Sequence, residues 1–169
     1  MVAAERGGVN GFISIAGVGR RIDEVILVQL SPYPEAMVNV SRAILDSLLA
    51  GKSVTNVSPL LYGLFRPSIQ PYMISWLKYN PAEQLAHITI PVLIIQGTTD
   101  IQVQVKDAEL LKLGNPNAKL AIIEGMNHVL KHADAERTTN LSTYSNPELP
   151  VAPEMVDAIS EFILEYSEH

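Results

Sequence analysis

The sequence predicts an α/β fold: a short parallel sheet with flanking helices and a helical insert. Three observations predict it. Residues 92–95 and 120–123 are short apolar runs bounded by turn residues, the pattern of buried parallel strands. A helical segment, residues 105–113, stands between them. An earlier run, Phe12-Ile13-Ser14-Ile15, is flanked by Gly11 and Gly17 and reads as another buried strand.

The elements follow in order. Residues 1–6 read as the end of a helix stopped by Gly7-Gly8. After the strand at Phe12, about sixty residues carry no convincing strand. Residues 22–30 are helical and rich in Val, Ile and Leu. Residues 34–50 place Met37, Val40, Ile44, Leu45, Leu48 and Leu49 at helical spacing, with Gly51 as the stop. Two shorter helices are expected over 59–65 and 68–79, the second started or kinked at Pro71.

Asn80-Pro81-Ala82-Glu83 has the residues of a helix start. It leads into a strand over 89–96. The helix over 105–113 ends at Gly114-Asn115-Pro116, and a third strand covers 119–124. Residues 129–150 form a long polar loop, a length usually functional or mobile. The last helix starts near Pro153, with Val156, Ile159, Ile163 and Tyr166 as its core stripe.

Composition bounds the function. The chain has 169 residues, 47% hydrophobic and 18% charged, which suits a globular domain. A formal net charge of -6 argues against a nucleic-acid partner. The largest basic cluster is Arg20-Arg21, and no apolar run approaches the roughly 20 residues of a membrane span, so no membrane partner is expected. With no cysteine there is no disulfide, thiolate metal site or cysteine nucleophile. No signal peptide stands at Met1, and a cytoplasmic location is the default expectation unless a signal peptide lies upstream of Met1.

Asp100 follows the strand at 92–95, and His128 follows the strand at 120–123. In an open α/β sheet, chemistry collects beyond the carboxyl ends of the strands. An acid and a histidine placed there have the order of the last two members of a nucleophile–acid–histidine triad. No G-x-S-x-G precedes Asp100.

The motifs P-V-L-I-I-Q-G-T-T-D at 91–100 and I-I-E-G-M-N-H at 122–128 resemble the α/β-hydrolase family. The likeness covers nearly the whole chain. It implies a partial α/β-hydrolase fold, with residues 1–19 and 80–169 as the C-terminal part of the core and 20–79 as a helical cap. It further implies that Asp100 and His128 are the triad acid and histidine. The nucleophile half, with its elbow and oxyanion hole, is not matched by any segment here. The implied parent is a serine hydrolase, an esterase, acyl hydrolase or peptidase-like enzyme acting on a small-molecule ester or amide without a cofactor. This chain alone is expected to be inactive. Gly17 and Arg20, in the turn that borders the pocket in this family, and Trp76 of the cap are the candidate substrate-binding residues. The alternative is a non-catalytic binding or self-association module derived from the same fold.

Each candidate has a plainer reading. Asp100 suits a turn or a helix cap, and His128 an ordinary loop. The H-x-D of His132 and Asp134 suggests metal, but four histidines without a compact carboxylate cluster argue against it. His87 reads as a helix-end residue and His169 is terminal. Ser14 lies inside a strand and Ser31 precedes a proline, so neither has a nucleophile's surroundings. Gly17-Val18-Gly19 is too short for a phosphate loop. Phe65, Tyr72, Met73 and Trp76 read as cap core before substrate contacts. The strand at Phe12 is expected to expose an unpaired edge, and with it a homo-oligomer.

Overall fold

A computed structural model describes residues 8–167. The readings of residues 1–6 and His169 lie outside these. The chain divides into two compact units. One comprises Met1–Gly19 and Pro81–His169, the other Arg20–Asn80.

The first unit is built on a three-stranded parallel sheet in the order β1-β2-β3. β1 is Phe12–Ile15, β2 is Val92–Gly97 and β3 is Lys119–Ile123. Phe12 pairs with Val92, and Leu93 with Lys119. All six residues of β2 are buried, as the apolar run predicts. The outer strands are a correction. β1 is half-buried, with Ile15 exposed, and in β3 Leu120 and Ile122 are exposed. An outer strand has one neighbour, and helices cover only part of its faces, so an apolar run there does not imply burial.

In the helical unit, α1 is Ile22–Leu30, α2 is Glu35–Leu49, α3 is Tyr62–Phe65 and α4 is Gln70–Trp76. The first unit then adds α5 at Pro81–Ala86, α6 at Val105–Gly114, α7 at Arg137–Ser142 and α8 at Pro153–Tyr166. On one face of the sheet Leu85 of α5 and Ala108 and Leu111 of α6 cluster with Val92 and Ile94. On the other, Met155 and Phe162 of α8 cluster with Leu93, Ile95 and Ile123. The alternation of β2 side chains divides these two cores.

Several expected details differ. α8 buries Met155 and Phe162, while Val156 and Ile163 are exposed. Ile159 and Tyr166 do pack against the core. The helix is apolar on more than one side, and docking on the sheet selects the face. Gly114 is not the stop of α6 but its last residue. A Cβ there would lie 2.3 Å from the carbonyl oxygen of Ala82, so glycine permits close contact with α5. The loop after residue 129 is not structureless: it contains α7 and a 3-10 turn at Thr143–Ser145.

In the helical unit Ile44, Leu45 and Leu48 of α2 are buried, whereas Val40 and Leu49 are exposed. Phe65 and Met73 are buried. Tyr72 is 64% exposed, which overturns its core reading, while Trp76 is half-buried; their rings lie 5.7 Å apart. The two rings meet at a tilt of 38°. Buried Gln70 ties the unit's long connection, exchanging hydrogen bonds with Val54 and donating to the Phe65 carbonyl. No helix of the described residues is long and apolar enough to cross a membrane.

Candidate active site

β2 and β3 run parallel and neighbour one another, so the loops leaving their carboxyl ends emerge on the same side. Asp100 lies on the first loop and His128 on the second. Two glycines let these loops approach. A Cβ on Gly97 would fall 1.9 Å from the Met126 carbonyl oxygen. Gly125 has φ +72, a left-handed turn that L side chains resist. Backbone bonds then staple the loops: the amide of Thr98 donates to the Ile123 carbonyl at 3.0 Å, and that of Thr99 to Met126 at 3.2 Å.

The structure brings Asp100 and His128 together. Nδ1 of His128 lies 2.9 Å from Oδ2 of Asp100. The Asp100 side chain is fully buried, and that of His128 is 30% exposed. Oδ1 of Asp100 accepts from the amides of Gln102 at 2.7 Å and Val103 at 2.9 Å. Oδ2 also accepts from the side chain of Gln96 at 3.1 Å.

These contacts set the charges. Burial pushes the Asp100 carboxyl up, but the bond to His128 and the two amides outweigh it and leave it below the ordinary range. The same bond to Asp100 raises His128 against its own burial. With Nδ1 held by a carboxylate, Nε2 is the nitrogen left for proton exchange. No serine hydroxyl of the described residues is bonded to His128.

A buried amide network holds the second loop, and the sequence reading missed it. Asn127 accepts from the amides of Val129 and Lys131 and donates to the Thr143 hydroxyl at 2.7 Å. Asn140 donates to the carbonyls of Thr99 at 2.9 Å and Asp134 at 2.8 Å. Asn140 therefore ties α7 to the residue before Asp100. Only Asn127, beside His128, and Gln96, a polar residue in an apolar strand, left a trace in the sequence.

The remaining candidates are placed as follows. Gly17 lies in the turn after β1, close over the Ser14 hydroxyl. Arg20 and Trp76 belong to the helical unit. Ser31 caps α1, its hydroxyl donating to the Val28 carbonyl. His87 is exposed after α5. Nε2 of His132 pairs with Glu154 at 2.9 Å, and Asp134 accepts from the amide of Glu136. Among the described residues no group of three or more His, Asp or Glu could hold a metal ion.

No family model matches the chain. The esterase EstD of Thermotoga maritima is 29% identical over 148 residues, covering 80% of this chain and 33% of that protein. BpoC of Mycobacterium tuberculosis H37Rv is similar in structure, with a TM-score of 0.51 at 13% identity, over 98% of this chain and 62% of that one. The Pyrococcus furiosus esterase PF2001 aligns with 98% of this chain and 48% of its own, at 15% identity and a TM-score of 0.47, too low to argue from. The chain carries part of the α/β-hydrolase fold. It spans about a third of the length of the curated esterase it matches.

Proposed function

We propose that this chain supplies the acid and the histidine of a serine α/β-hydrolase, an esterase or related acyl hydrolase. One observation carries the reading: the 2.9 Å bond between His128 and buried Asp100, beyond the ends of two adjacent parallel strands. Its support for ester chemistry is the similarity to an esterase.

In this mechanism Asp100 fixes the tautomer of His128 by accepting from Nδ1–H. Nε2 takes the proton of a serine hydroxyl as that oxygen attacks the acyl carbon, and returns it to the leaving alcohol. The serine and its oxyanion donors come from sequence outside these 169 residues. In this reading the helical unit, Arg20–Asn80, corresponds to the family's cap. A binding or self-association module remains the second reading. It is favoured by the β1 edge, where the amides of Ile13 and Ile15 face away from β2 and could pair with a second copy.

Complementation tests both. The 169-residue polypeptide alone should neither be labelled by a fluorophosphonate probe nor hydrolyse esters. Co-expressed with a polypeptide carrying a G-x-S-x-G half of this fold, it should restore hydrolysis of a short-chain ester. Asp100→Asn or His128→Ala should then lower kcat by about 10⁴-fold. Stoichiometric labelling of a serine in the lone chain, lost on mutating that serine, would sink the proposal. Restored activity indifferent to both substitutions would favour the module.

A further inference from the structure

Gln96 is a fully buried polar residue near the end of a buried strand. Its side-chain nitrogen donates to Oδ2 of Asp100 at 3.1 Å, the Val103 carbonyl at 2.9 Å and the Gly97 carbonyl at 3.3 Å. Its own Oε1 is buried and accepts no hydrogen bond from the described residues. A buried acceptor left unsatisfied is destabilising, so folding stability alone does not account for an amide here.

Its geometry against Asp100 offers another reason. The amides of Gln102 and Val103 already hold Oδ1 and aim the carboxylate. Gln96 adds a donor at Oδ2, the oxygen that meets His128. Two donors on one oxygen draw on the same negative charge, and each weakens what the other receives. The charged groups acting across the site are Asp100 on His128 and His128 on Asp100. Gln102 adds an uncharged link to the Tyr144 hydroxyl at 3.2 Å.

We propose that Gln96 is a positioning residue that acts through Oδ2 of Asp100. It holds His128 less basic than the carboxylate alone would make it, which keeps Nε2 open to accept a proton near neutral pH. The inference rests on reading Asp100 and His128 as a proton-relay pair.

Proton NMR titration of the chain itself tests it, without need of activity. In the unaltered chain one side-chain amide proton of Gln96 should exchange slowly and shift with the same midpoint as His128. Gln96→Met and Gln96→Leu remove the donor at similar volume, and each should raise the His128 midpoint by about half a pH unit. Asp100→Asn should lower it. An unchanged or lowered midpoint in the Gln96 variants overturns the inference while leaving the pair intact, provided Asp100→Asn has its effect. No effect of Asp100→Asn sinks the pair reading and this inference together. Should neither Gln96 variant fold, the unaltered chain decides: a Gln96 amide that exchanges freely and ignores the His128 titration overturns the assignment.

Discussion

Asp100 and His128 each favour the other's charged form, and this fixes where the pair stabilises the fold. His128 is raised, so its contribution is complete below the unfolded histidine pKa, about 6.5, and is lost as pH rises through its folded value. Asp100 is lowered, so its contribution is complete above the unfolded carboxylate pKa, about 3.9, and is lost as pH falls through its folded value. The difference in Tm between the chain and its His128→Ala variant should therefore be greatest between about pH 4 and 6.5. It should shrink on either side. A difference independent of pH would show that the pair is not ionic. Gly97 acts on the same geometry: any side chain there meets the Met126 carbonyl and forces the two loops apart.

The helix α8 shows how an element finds its face. Met155, Ile159, Phe162 and Tyr166 pack on the sheet, with the Phe162 and Tyr166 rings 5.0 Å apart. Val156, one position along from Met155, is 44% exposed. Phe162→Ala should lower stability by about 3–5 kcal/mol, since it empties a filled core position. Val156→Ala should change it by less than about 0.5 kcal/mol. Urea unfolding of both variants measures the contrast; equal costs would return the core stripe to the Val156 side.

For the whole molecule the open question is the edge at β1. Phe12 and Ala16 donate their amides to β2, through the carbonyls of Pro91 and Ile95, so the amides of Ile13 and Ile15 point the other way. An apolar groove of about 280 Å³, lined by Gly11, Ile13, Phe162, Ile163 and Tyr166, lies beside that edge. A second copy pairing along β1 would satisfy the donors and cover the groove. We expect a dimer at micromolar concentration by light scattering, and a monomer on Ile15→Lys, which charges an exposed edge position. A monomer with native near-UV circular dichroism in the unaltered chain would show that the edge needs no partner.

Strand ends and the residues just beyond them are written in local sequence. The runs before Gly97 and Gly125 stop where glycine begins a turn, and this made Asp100 and His128 legible as loop residues on one side of a sheet. Helix extents are local for the same reason, because their periodicity and end residues lie within a few positions of each other. Which apolar residues are buried is not local. Leu120, Ile122 and Val156 are as apolar as their buried neighbours, and only the number of elements packed on each face leaves them exposed. The support of the site is more distant still: Asn140 reaches the Thr99 carbonyl across 41 residues, and Gln102 reaches Tyr144 across 42. No periodicity or spacing encodes such pairs. They form only when the folded sheet brings its two loops and α7 together, and burial there makes each unpaired polar group costly.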